Sequence, residues 1–248
     1  MAHLKITPRP ASTLILTRDS APGLEVFLMQ RTHQAVFMPG YFVFPGGVVD
    51  ALDASASMLS LCAGVADSKA RAMLGLEPGG LAYAIAAIRE SFEEVGLLLA
   101  LDAGGDYIEI AVPGDVEYYA GLRERLNAGQ LTFADVFRSR GLSAAVDKLA
   151  FFSRWVTPVG LPRRYDTHFF VATAPEQQTA VVDGQEAIDH IWLTPAEALQ
   201  RSRDGKLPLS LPTLSTLQEI AEFATGEALL QYARCPQRIK SMQAPEVT

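Results

Sequence analysis

The segment from Leu81 to Gly96, LAYAIAAIRESFEEVG, constrains the fold more than any other part of the chain. Its first eight residues are almost wholly apolar and most are good helix formers, so a helix here has to be buried. Gly96, the residue type that most easily takes a left-handed cap, marks its end. The last turn carries three acids. Glu90 and Glu94 share a face at i,i+4, and Glu93 lies beside them at i,i+3 from Glu90. Like charges at that spacing cost roughly 0.2–0.5 kcal/mol per pair, and they sit at the helix end where the macrodipole favours cations. A solvated acidic helix end is the ordinary reading of such a cluster. The apolar flanks at 84–88 and 95–99 argue against it. The natural compensator is a hard divalent ion with oxygen ligands, while Arg89 can hold one carboxylate through its planar fork.

Strand-like segments surround this helix. Residues 12–17 and 24–30 are short, apolar and β-prone, and the turn formers at 18–23 join them as a hairpin. Residues 41–44 predict a short strand ending in the glycine turn Pro45-Gly46-Gly47, with one face of its alternating aromatics free to line a pocket. Residues 55–76 have helical spacing and are stopped at 77–80. Helices are expected at 116–126 and 133–140, strands at 151–157, 167–173 and 187–193, and helices opened by Pro195 and Pro212 that run to 203 and 224. Strands first, then helices, then strands again predict an α+β protein layered as an α/β/α sandwich.

Composition narrows the function. With 248 residues, 49% hydrophobic, the chain can bury a core without disulfides and is not disordered. A net charge of −7 argues against coating nucleic acid or an anionic membrane, yet a metal held by the surplus acids would let an acidic protein bind phosphate. Cys62 and Cys235 lack metal-site spacing and read as reduced thiols of a cytoplasmic protein. The start MAHLKITPRP has no apolar signal core, and no apolar run reaches the length of a membrane span. His33, His168 and His190 have no ligand spacing and are expected to be satisfied structural histidines; Trp155 and Trp192 are expected in the core.

Arg89-Glu90-Ser91-Phe92-Glu93-Glu94-Val95-Gly96-Leu97 resembles the second half of the Nudix box, Gx5Ex7REUxEExGU with U a bulky apolar residue. Gly47 and Asp53 match the first half, Asp standing for Glu and polar Ser91 filling a U position. Thirty-five residues separate Asp53 from Arg89, where the uninterrupted box has seven, an excess of 28. With Phe44-Pro45-Gly46-Gly47-Val48-Val49-Asp50 before the interruption, the chain resembles the interrupted-box subfamily of coenzyme A diphosphatases, over about 13–199 and including Pro162-Arg163-Arg164-Tyr165-Asp166-Thr167.

The resemblance implies a single Nudix domain over 1–248, a mixed sheet between helices, with a helical insertion at about 54–80 and added helices at about 115–148. It implies hydrolysis of a nucleoside diphosphate linked to another moiety. Glu93 and Glu94 would be the principal Mg²⁺ or Mn²⁺ ligands, Glu90 a further ligand or the base on the attacking water, and the Gly47 carbonyl a further contact. Glu186 or Glu176, after the box, are alternative bases. Arg31, Arg163 and Arg164 are the candidate phosphate donors, and Phe44 and Glu186 complete the substrate-binding set. The expected partner is a nucleotide-derived small molecule: coenzyme A or acyl-CoA, with ADP-ribose, NADH or another dinucleotide as the alternative. No nucleic acid or membrane partner is expected, and a homodimer is compatible with the added helices. A non-catalytic nucleotide-binding module is the alternative of another class, against which the intact acids speak.

Overall fold

The computed structural model describes residues 6–68, 70, 79–235 and 240–243. Its centre is an eight-stranded mixed sheet. The strands are β1 (Arg9–Ser20), β2 (Gly23–Arg31), β3 (Phe42–Val43), β4 (Gly46–Val48), β7 (Ala150–Val156), β8 (Tyr165–Thr173), β9 (Ala187–Leu193) and β10 (Lys240–Gln243); β5 (Ala100–Leu101) and β6 (Ser143–Ala144) pair separately. β1 runs parallel to β8, which pairs antiparallel with β7. The other edge of β1 is shared: β4 pairs with Ala11, Ser12 and Thr13, and β2 with Thr17 through Ser20. The sheet forks there, because β3 stays with β2 while β4 crosses to β1.

Alternation along the central strands explains the layers. Leu14 and Leu16 of β1, Phe27 and Met29 of β2, and Phe170 and Ala172 of β8 point into one core. Ile15, Val26, Leu28, Phe169 and Val171 point into the other. Successive side chains of a strand face opposite sides, so strands apolar at both parities must be covered twice. The first core is closed by α2 (Gly80–Val95), α3 (Pro113–Asn127) and α4 (Phe133–Arg138). The second is closed by α5 (Pro195–Arg203), α6 (Leu211–Ile220) and α7 (Gly226–Ala233). The α/β/α sandwich read from the sequence is the fold observed.

Several elements differ from the expectation. The first hairpin is longer and tighter: β1 continues to Ser20 and pairs with Gly23, leaving two residues in the turn. Gly46 and Gly47 form strand β4 and not merely a turn, because Gly46 pairs with Thr13 and Gly47 with Ser12. The helix expected at 55–76 is preceded by a 3-10 turn (Ala51–Ala54) and opens as the short α1 (Ala56–Leu59), which Ser60 caps. Residues 69 and 71–78 of that prediction lie outside the described residues. Pro212 stands inside the first turn of α6, which ends at Ile220, and α7 follows as a separate helix capped by the Thr225 hydroxyl. His168 is fully buried between Tyr83 and Phe151, but neither ring nitrogen has a partner. Burial lowers its pKa to about 4, so it is a neutral ring and not a satisfied one. Among the described residues no helix is long and apolar enough to cross a membrane.

The helix that carries the acids ends as its glycine requires. Gly96 takes φ 72° and its N–H caps the Phe92 carbonyl. A Cβ at Gly96 would also lie 3.2 Å from Arg123 Nη1. Ser91, the polar residue at an apolar position of the motif, is fully buried but spends its hydroxyl on the Leu97 carbonyl at 3.0 Å, which removes the desolvation penalty. Gly96→Ala is therefore expected to cost about 1–2 kcal/mol from the left-handed backbone alone, seen as a lower urea midpoint at unchanged slope; an unchanged midpoint would show that the cap is not needed.

Candidate active site

Arg89 sits at the centre of the acidic cluster. Its Nε donates to Asp53 Oδ1 at 2.9 Å and its Nη2 to Asp53 Oδ2 at 3.1 Å, a bidentate pair joining the two halves of the motif. Nη2 also donates to the Val48 carbonyl at 2.9 Å. Nη1 reaches Glu90 Oε1 at 2.8 Å and Glu93 Oε2 at 2.7 Å. Asp53 is 1% exposed and closes a capping box on its own 3-10 turn, accepting the Asp50 N–H at 2.8 Å. The short Asp side chain thus serves the turn and the guanidinium together.

The turn between β3 and β4 brings backbone against the acids. Gly46 N–H donates to Glu94 Oε2 at 2.9 Å, while Glu94 Oε1 is buried without a partner. A side chain on Gly47 would overlap the Glu90 carboxylate, and one on Gly46 would strike the Ser12 carbonyl and Thr13. Glycine is needed at Gly47 because the Glu90 carboxylate approaches so closely, and at Gly46 because β1 does.

Glu90, Gly46, Gly47, Arg31, Glu186 and Phe44 all line one cleft of about 490 Å³. Its other wall is largely apolar, with Trp155, Val156, Pro158, Leu161, Phe169 and Leu211. Across the sheet Val48, whose carbonyl Arg89 holds, Ala11, Thr167 and Trp155 stand in one row, so Val48 and Trp155 are three strand spacings apart, roughly 14 Å. Arg31 anchors itself by donating to the Phe37 carbonyl at 3.1 Å. Glu186 is carried by a loop in which the Asp183 carboxylate accepts the N–H groups of Gln185, Glu186 and Ala187.

Charge in this corner is unbalanced. Asp53, Glu90, Glu93, Glu94 and Glu186 stand near three cations, Arg89, Arg31 and Arg123. Burial drives the Glu90 carboxyl up to about 7 against the pull of Arg89, and Glu93 adds to the rise. Glu94 is raised well above the usual range, by burial first and by Glu90 second, with the Gly46 N–H opposing. Glu93 is raised by burial against Arg89. Coulomb repulsion among desolvated carboxylates leaves a strong demand for positive charge. Among the described residues no three acids already surround a common point, since Arg89 Nη1 stands between Glu90 and Glu93.

Other candidates fall elsewhere. Arg164 spends its guanidinium on the carbonyls of Thr157, Pro158 and Ile6, pinning the loop before β8, and does not line the cleft. Arg163 is exposed and also away from it, as is Glu176. An Arg-Arg pair before a strand is a weak signal, because loop carbonyls compete for the same donors. Trp155 joins the core as expected and also lines the cleft; Trp192 packs edge-on against Phe27 under the Arg18 guanidinium. Sequence reasoning passed over Arg123 and Asn127 of α3, which donate to the Glu93 carbonyl at 2.9 and 3.3 Å. Their signal exists only once α3 is packed on the end of α2.

Two outcomes follow from this geometry. Asp53→Asn leaves half of a buried fork uncompensated and is expected to lower unfolding free energy by about 3–5 kcal/mol, measured by urea titration; a loss under about 1 kcal/mol would show that Glu90 and Glu93 satisfy Arg89 alone. Carboxyls with raised folded-state pKa hold protons that the unfolded chain releases, so their contribution is full below about 4.5 and is lost as pH rises through about 7. Without divalent ions, Glu90→Gln should flatten the fall in urea midpoint between pH 5 and 8; parallel slopes for variant and parent would exclude Glu90 as its source.

Comparison with known proteins matches this geometry to a family. The model of the NUDT19 Nudix domain matches residues 65–220. The chain is 29% identical over 244 residues to the acyl-coenzyme A diphosphatase NUDT19 of Gallus gallus, covering 84% of this chain and 64% of that protein. It is 29% identical over 237 residues to the Homo sapiens protein of the same name, covering 83% and 62%. The chain thus spans less than two thirds of the length of the curated relatives it matches. Among solved structures, a Nudix hydrolase from Alicyclobacillus acidocaldarius superposes with TM-score 0.73 at 27% identity, covering 91% of this chain and 96% of that one. The residues of the interrupted box, joined through the Arg89 guanidinium, and these likenesses together place the chain in the NUDT19 Nudix domain family of the Nudix hydrolases.

Proposed function

We propose that the chain is a metal-dependent diphosphatase acting on coenzyme A or its acyl thioesters, yielding 3′,5′-ADP and 4′-phosphopantetheine or its acyl form. The observation that carries this reading is the intact set Glu90, Glu93 and Glu94, of which Glu90 lines the acidic end of a cleft whose far wall is apolar and Glu93 and Glu94 follow on the same helix turn. An anionic diphosphate fits the first end only with added positive charge, and an apolar tail fits the second. The relatives named acyl-coenzyme A diphosphatases support the substrate class.

The residues fit a hard divalent ion, Mg²⁺ or Mn²⁺. Five carboxyls stand near three guanidiniums, and the buried Glu94 Oε1 has no donor. Oxygen donors of this kind suit such cations. Glu93 and Glu94 would hold the ion, with Glu90 and the Gly47 carbonyl beside it. When bound, the ion neutralises diphosphate oxygens and acidifies a coordinated water. Arg31, anchored through Nε, offers its remaining N–H groups to a phosphate. Glu90 or Glu186 takes the proton of the attacking water as its oxygen bonds to phosphorus, and the bridging P–O bond breaks toward the departing phosphate. Arg89 keeps Glu90 and Glu93 in register throughout, and the apolar wall excludes competing water.

Incubation with CoA and Mg²⁺ or Mn²⁺ should release 3′,5′-ADP, separated by chromatography, and Glu94→Gln should lower turnover about 10²-fold or more. Preferential hydrolysis of ADP-ribose or NADH in the same panel would overturn the substrate class, and full activity of the variant would overturn the site.

A further inference from the structure

The end of α2 is held by groups that the box itself does not supply. Arg123, on α3, donates Nε to the Glu93 carbonyl at 2.9 Å and Nη1 to the Val181 carbonyl at 2.6 Å. One guanidinium therefore ties the last turn of the acid-bearing helix to the loop ahead of β9. The backbone continues the seam: Val181 N–H donates to the Val95 carbonyl at 2.9 Å and Asp183 N–H to the Glu94 carbonyl at 3.0 Å. From Asp183 the rigid turn runs to Glu186, whose carbonyl accepts the Thr32 N–H at 2.9 Å.

This seam works against electrostatics. Glu186 raises the pKa of Glu90, Glu93 and Glu94, which means that its charge repels theirs. Val181 and Glu186 are both exposed, while Val182 packs against the core and Ala187 is fully buried, so packing holds the loop at those two points and leaves the Glu186 side chain outside it. The Arg123 charge is instead drawn to Asp183, Glu94 and Glu93, at the helix end where the dipole favours a cation. The guanidinium fork reaches two carbonyls in different segments at once, which an ammonium on a flexible stem does not reproduce.

We propose that Arg123 is a positioning residue: it clamps the 181–186 loop to the last turn of α2 and so sets where Glu186 stands relative to Glu90 and Glu94. The helices that follow the box thereby take part in the site without lining it. This inference rests on the diphosphatase reading for its kinetic consequence, but the clamp itself is measurable without turnover.

The test combines a kinetic cycle with hydrogen exchange on the whole protein. With CoA and Mn²⁺, Arg123→Ala should lower kcat about 10²-fold, the scale of a roughly 1 Å misplacement, with KM changed little, and Arg123→Lys should recover only a minor part. In a Glu186→Gln background the same Arg123→Ala change should cost less than about threefold more, since residues acting through one another are not additive. Without substrate or metal, the amides of Val181 and Asp183 should exchange faster in Arg123→Ala while those of Leu14 and Leu16 keep their protection, showing an intact sheet. Equal losses in both backgrounds, no loss in Glu186→Gln alone, or unchanged exchange at Val181 and Asp183 would each overturn the proposal. If the parent does not hydrolyse CoA, the substrate reading fails, and the exchange result alone keeps or overturns the clamp.

Discussion

Everything at the acidic corner depends on the Arg89 guanidinium. It touches Asp53, Val48, Glu90 and Glu93, and so joins a strand, a 3-10 turn and a helix separated by 35 residues of chain. A planar fork with five N–H donors can do this because its directions are fixed. The ion pair with Asp53 is almost fully desolvated. Such a pair contributes little net stability relative to an apolar isostere, yet is costly to break. Its value here is geometric: it lets the motif close across an insertion as though the chain were continuous.

Once closed, the motif creates a problem that the rest of the fold answers in two ways. Repulsion among Glu90, Glu93 and Glu94 is eased at the front by Arg89 and the Gly46 N–H. At the back, Arg123 and Asn127 take the Glu93 carbonyl, and Asp183 and Val181 take those of Glu94 and Val95. Every orphan carbonyl of the last turn from Phe92 to Val95 is thereby paired. The remaining charge imbalance is left facing the cleft, where a cation and a polyanionic substrate can use it.

The fork in the sheet makes that cleft. β1 gives its early residues to β4 and its late residues to β2, so the Phe44-Pro45 link crosses a gap between strands. Acids from one helical layer reach into this gap beside Gly47, and the apolar wall comes from β7, β8 and the start of α6. Two cores on opposite faces hold the strands rigid enough to keep both ends of the cleft in place.

Much of this was legible in the residues. The α/β/α layering followed from the order of strands, then helices, then strands again, the boundaries of α2 and α5 from Gly96 and Pro195, and the acid cluster from its helical spacing. Asp53 and Gly47 were found only because the motif resemblance bridged the interruption. What the sequence did not decide was which charges meet. Arg163 and Arg164 looked like phosphate donors by density, but the tertiary fold gives Arg164 to loop carbonyls. Arg123 had no local signal, because its partners are backbone carbonyls 30 and 58 positions away. The Gly46-Gly47 turn became a strand because β1 had an unpaired edge to offer. Local pattern determined the elements and the chemistry they carry, since propensity, spacing and charge are properties of neighbours in the chain; long-range packing alone decided the cleft, the clamp on α2 and the pairing of each guanidinium, since those depend on which segments are brought together.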